Sequence, residues 1–183
     1  MNFTRKKLVL AVPILLLTAF AGAQGPCRPT ATSPCPAASI PTPYSTAQFS
    51  ATFNGPVETW SEPNVQKTST DIFYASKANH IEQTVAYRTI NGEIDVDTAS
   101  LDFYVKALTK KGETLKSRQD GTHHGHIFVY FEVETANEPP RLRRTWLLIQ
   151  NSRTVFVVMQ SAIEGVDDSE EWNALSKSFA IKE

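Results

Sequence analysis

Thr122-His123-His124-Gly125-His126 is the one constellation in this chain with obvious ligand character. His124 and His126 are two apart, so on an extended strand both imidazoles point the same way and could grip one Zn or Cu ion. A built metal site needs a third or fourth ligand, and no local spacing supplies one. The competing reading is a polar hairpin end, opened by Asp120-Gly121, with Gly125 as a bulge.

Other reactive side chains point to less. Cys27 and Cys35 are the only two cysteines. In an oxidising compartment they are expected to close a small local disulfide loop. An intermolecular bridge or a redox pair are the alternatives, although the spacing is not C-x-x-C. Asp95 with Asp97, and Asp167 with Asp168, Glu170 and Glu171, are carboxylate clusters. Each falls at an expected helix start, where capping and the helix dipole account for it. Trp60, in Thr59-Trp60-Ser61-Glu62-Pro63, reads as an aromatic in a polar loop, packed over a sheet edge or marking a partner contact. G-x-S-x-G, Walker, H-E-x-x-H and dinucleotide motifs are missing from the sequence, so no catalytic residue is assigned.

These groups sit in a chain with three parts. Arg5, Lys6 and Lys7 precede an uncharged run from Leu8 to Phe20, and Ala21-Gly22-Ala23 offers small residues to a signal peptidase. Residues 1–23 therefore read as a signal peptide cleaved before Gln24, and the protein as exported to a periplasm or secreted. The apolar run is short for a spanning helix, and Gln24-Gly25-Pro26 separates it from Cys27, against a lipid anchor. Residues 24–43 hold six of the eleven prolines and read as a tether. Loss of the signal leaves fifteen Lys+Arg against nineteen Asp+Glu, a formal charge of about −4. That sign argues against nucleic acid or an anionic membrane as main partner. Arg141, Arg143 and Arg144 form the local exception, read as the solvated mouth of a strand.

Residues 44–183 read as one domain. Phe49, Ala51 and Phe53 alternate on one face before the turn Asn54-Gly55-Pro56. Strands are expected at Asp71–Ser76, His80–Ile90, Glu113–Arg118 and His126–Glu134, with a turn at Asn91-Gly92. Leu101, Tyr104, Val105 and Leu108 recur at helical spacing, with Asp97 as N-cap and Gly112 as stop. A second helix spans Asp168–Phe179, opened by a capping box of Asp168 and Glu171. The hairpin Arg143–Ala162 is apolar at successive positions in both arms, as in strands covered on both faces. Together these predict an α+β fold: an antiparallel sheet of six to seven strands with a helix on each face, an α/β/α sandwich.

Phe49-Ser-Ala-Thr-Phe-Asn-Gly-Pro56, the hairpin Trp146–Met159 and the closing Leu175-Ser-Lys-Ser-Phe-Ala-Ile181 resemble the opening strand and turn, late hairpin and terminal helix end of the PsbP-like and DcrB-like superfamily. Asn54 departs from the family's usual Pro. The resemblance covers Tyr44–Glu183, implies a PsbP-like sandwich and a non-enzymatic accessory or binding module, and carries over no functional residue. The expectation is a module acting on a protein or small ligand without a cofactor. A metal-binding envelope protein using His124 and His126 is the first alternative, and a hydrolase with a site assembled from scattered residues the second.

Overall fold

A computed structural model describes residues 39–63, 70–89, 98–136, 138–151 and 153–182. The expected signal peptide, Cys27, Cys35, the Asn91-Gly92 turn, Asp95 and Asp97 lie outside them.

The described chain runs β1 (Thr42–Ser45), β2 (Phe49–Phe53), β3 (Glu58–Pro63), β4 (Thr70–Ala78), β5 (Ile81–Thr89), α1 (Thr98–Leu108), β6 (Thr114–His123), β7 (His126–Glu134), β8 (Arg141–Ile149), β9 (Thr154–Ile163), α2 (Ser169–Ser178) and β10 (Ala180–Ile181). A large antiparallel sheet has the order β3-β4-β5-β9-β8-β7-β6, and a small one the order β1-β2-β10. This corrects the expected α/β/α sandwich. The protein is β-rich with two sheets, and one face of the large sheet is covered by strands as well as by a helix. The expectation failed because β1, β3 and β10 are short or polar, and strands held by backbone bonding leave no apolar period to read.

Turn chemistry sets the hairpins. Asn79 and His80 (φ 48° and 65°) join β4 to β5, and His124 and Gly125 (φ 49° and 83°) join β6 to β7. Both are two-residue connections with positive φ throughout, the twist that matches paired strands. Between β8 and β9, Asn151 Oδ1 accepts from the Arg153 and Thr154 amides at 2.8 and 2.9 Å.

The successive apolar residues of β8 and β9 divide between two cores. Leu147 and Val157 face one cluster with Phe131, Phe73 and the α1 residues Tyr104 and Leu108. Leu148 and Val158 face the other, with Phe156, Phe49 of β2, and Leu175 and Phe179 of α2. Phe49, Phe131, Phe156, Leu147 and Leu148 are fully buried, and each contributes roughly 1.5–3 kcal/mol by leaving water.

Buried charge is paired. Asp71 and Arg88 stand directly opposite on β4 and β5 and form a two-pronged ion pair. Arg143 Nη2 donates to the Leu108 carbonyl at the end of α1 (2.7 Å) and to Glu113 Oε2 (2.7 Å). Glu113 Oε2 also accepts from the Lys110 amide at 2.7 Å. Gly112, at φ +89°, lies past the helix end, in the turn where the Glu113 amide donates to the Lys110 carbonyl at 3.1 Å, and so is not the residue that stops α1. The Arg141, Arg143, Arg144 run is therefore not a solvated mouth. Arg141 pairs with Glu82, Arg143 with Glu113, and Arg144 with Glu132 and Asp168.

Candidate functional site: a polar row under the second helix

Strand register assembles a row that no local motif announces. Ser117 stands opposite Glu132, Glu132 opposite Arg144, Arg144 opposite Gln160, and Gln160 opposite Gln83. The row thus crosses β6, β7, β8, β9 and β5. Directly opposed residues share a face, so it forms a polar stripe through an otherwise apolar sheet surface.

Hydrogen bonds run its length. Ser117 Oγ donates to Glu132 Oε2 (2.9 Å), and the Tyr130 hydroxyl to Glu132 Oε1 (2.6 Å). Arg144 Nε lies 3.3 Å from Glu132 Oε1, and Arg144 Nη1 makes an ion pair with Asp168 Oδ2. Gln160 Nε2 donates to both the Asp168 carboxylate and the Asp168 carbonyl, each at 2.8 Å. Gln83 Nε2 donates to Gln160 Oε1 (2.7 Å) and to the Glu171 carbonyl in the first turn of α2 (3.1 Å). Gln83 Oε1 accepts from the Asn54 amide (2.7 Å) in the turn after β2. The stripe therefore fastens α2 and the small sheet to the large one. Gln83, Gln160 and Asp168 are buried, and unsatisfied amides there would cost ~1–3 kcal/mol each.

Asp168 does not cap α2, contrary to the capping-box expectation. Its side chain makes no capping bond and is drawn down into the row instead. Asp167 stands in, with Oδ1 accepting from the Ser169 amide at 3.2 Å.

Where the row meets the end of the sheet, a cleft of about 280 Å³ opens, with Arg141, Arg144, Glu164, Asp167, Asp168 and Ser169 in its wall. The charged states around it are reinforced. Burial raises the Glu132 pKa, but bonds from Tyr130 and Ser117 and the charge of Arg144 outweigh it, and the net shift is downward. Burial works against the Arg144 charge and is outweighed by Asp168, so its pKa is raised. The Tyr130 hydroxyl is pushed upward by burial and by its bond to Glu132. The Ser169 amide lowers Asp167.

The residues singled out from sequence lie elsewhere. His124 occupies the β6–β7 turn, so the same-direction argument for His124 and His126 does not hold. The closing pair is His123 with His126. His123 turns onto Trp146, ring centroids 4.6 Å apart, and stands 4.3 Å from His124. His126 Nδ1 lies 3.2 Å from the Gln150 carbonyl. Among the described residues no group of three His, Cys, Asp or Glu side chains is placed to hold a metal ion. Trp60 is not in a loop. It lies on β3, half-buried and stacked on Phe73 at 5.1 Å, with its indole N–H donating to Glu62 at 3.2 Å. Sequence reasoning missed Glu132, Gln160 and Gln83 altogether. The available signal was a polar residue in each of several apolar strands: Gln83, Gln160, and Arg144 beside Trp146. Compared with known proteins, the chain matches no family model and no curated protein sequence.

Proposed function

We propose that the protein is an exported binding module, and that the cleft beside Arg144 and the start of α2 takes a small polar ligand. The observation that carries this reading is the pair of opposite charges, Arg144 and Asp168, set side by side in the cleft wall. A general acid or base works best with a pKa near the ambient pH. Of the groups lining the cleft, the Asp167 carboxyl is shifted down and the Arg144 guanidinium up. Both directions favour the charged forms, which suits fixed charges that orient a ligand. A rigid wall supports the same reading, because Arg144 and Asp168 are already held by the row and need little ordering on binding.

The test is a thermal-shift and calorimetric screen of amino acids, diamines, dicarboxylates and sugars against the purified protein. A ligand of this cleft raises the melting temperature by mass action. That rise should disappear in Glu164→Ala/Asp167→Ala, whose side chains line the cleft without belonging to the row. If no solute binds at millimolar concentration, or the rise survives in that variant, the cleft is not the binding site. N-terminal sequencing of exported material tests the address separately: a mature chain starting at Gln24 is expected.

A further inference from the structure

Among the described residues, the large sheet ends in two open strands, and their sequences differ in what they would accept. Strand β6 pairs only with β7, and among the described residues nothing pairs along its outer side. The two-residue His124-Gly125 turn fixes which backbone groups face outward. In such a hairpin the closing residues exchange both hydrogen bonds, and bonded pairs then alternate along the ladder. His123 with His126, Gly121 with Phe128 and Gln119 with Tyr130 are therefore the bonded pairs. Arg118, Asp120 and Thr122 must direct their N–H and C=O groups away from β7.

We propose that β6 pairs antiparallel with β6 of a second copy of this chain, about a twofold axis at Gln119. Backbone parity allows only registers in which an outward residue meets an outward residue. Charge then selects among them. Centred on Gln119, Arg118 of each copy faces Asp120 of the other, twice, and both are bonded positions on the same face. Centred on Arg118 or on Asp120, like charges meet at the axis, and centred on Gly121, Asp120 meets only Thr122. Like charges directly opposite are destabilising.

The opposite edge lacks this property. On β3, pairing centred on Trp60 would set Glu58 against Glu62, and Pro63 ends the strand without a donor. Arg118 now satisfies Asp120 within its own strand, at 2.7–2.8 Å, and also bonds Asp102 of α1 through Nη1, so pairing exchanges only the Asp120 partner and leaves the Asp102 contact in place. The register shift between Leu115 and Ser117 ends the regular stretch, which confines the contact to the segment around Gln119.

Sedimentation equilibrium of the full chain tests this against concentration and salt, with reducing agent present. Dimerisation that weakens as salt rises is expected. Asp120→Arg and Arg118→Asp should each weaken it by about tenfold or more, since two attractive pairs become repulsive. An equimolar mixture of the two variants should recover the dimer, because each then opposes the other's charge. That recovery also shows that both variants fold. In a Cys27→Ser/Cys35→Ser background, Gln119→Cys should crosslink to itself on oxidation, whereas Ser117→Cys should not. A monomer at ~100 µM, where even a weak dimer of ~10 µM affinity would be mostly formed, overturns the proposal. So does a mixture that stays monomeric, or crosslinking at Ser117→Cys in place of Gln119→Cys.

Discussion

At the scale of single residues, the molecule spends its polar side chains on fastening. Gln160 shows this best: one side-chain amide ties a strand to both the carbonyl and the carboxylate of Asp168, while its oxygen holds Gln83. Gln160→Leu keeps the volume but leaves buried partners unmet, and should cost about 2–3 kcal/mol in urea unfolding. Glu132 carries a pH signature. Its folded pKa is depressed, so it contributes stability above the ordinary carboxylate pKa and loses that contribution as pH falls through the folded value. Glu132→Gln should flatten the loss of urea midpoint as pH falls below the ordinary Glu value, about 4.3. His123 titrates with the same sign for a different reason. Burial, then the neighbouring His124 and His126, lower its pKa. The unfolded chain takes up the proton first, so stability falls once pH drops below the ordinary histidine range, about 6.5, and levels off below the depressed folded value. His123→Phe should remove that step from the urea midpoint measured from pH 7 to pH 5, while keeping an aromatic ring against Trp146.

At the scale of elements, legibility followed hydrophobicity. The periodic stripe of α1, Leu101, Tyr104, Val105 and Leu108, is buried as its spacing requires. The double-sided apolar runs of β8 and β9 place those strands inside the sheet. Strands β1 and β3 were not legible, because Thr-Pro-Tyr-Ser and Glu-Thr-Trp-Ser-Glu-Pro show no apolar face and earn their places by edge pairing. The polar row was illegible for another reason. Gln83 and Gln160 are 77 residues apart, and only the strand register makes them neighbours. The histidines drew notice through local spacing, yet their turn sends them elsewhere. Element ends also depend on distant residues: Arg143, far along the chain on β8, holds both the last carbonyl of α1 and Glu113. Arg143→Met should lower stability by about 3–5 kcal/mol, because the buried Glu113 loses its opposite charge and keeps only the Lys110 amide. Amide exchange should show the end of α1 opening more readily than the rest of that helix. Equal protection along α1 in the variant would show that the ion pair stabilises the sheet and not the helix end.

At the scale of the whole molecule, one sheet is shared by two cores, and this shapes how the fold fails. Leu147 and Leu148 are adjacent on β8, yet the first packs in the α1 cluster and the second in the α2 cluster. Neither cluster survives without the sheet between them, because β8 and β9 supply both. Leu147→Ala and Leu148→Ala should each cost about 2–5 kcal/mol. More telling is what each change does to the far side. Trp172 packs against the α2 cluster and Trp60 against the α1 cluster, so versions with Trp146→Phe that keep only one of these two tryptophans report one face each. If the sheet couples the faces, Leu147→Ala shifts the denaturation midpoint read by Trp172 as far as that read by Trp60, in one two-state transition. Separate midpoints would mean that α2 and the small sheet melt as their own unit. The row from Glu132 through Gln160 to Gln83 would then be a detachable latch rather than a bond between layers. Coincident midpoints that separate only in a Gln160→Leu background would assign the coupling to that row. The cleft wall would then owe its rigidity to the same hydrogen bonds that keep the two faces from unfolding apart.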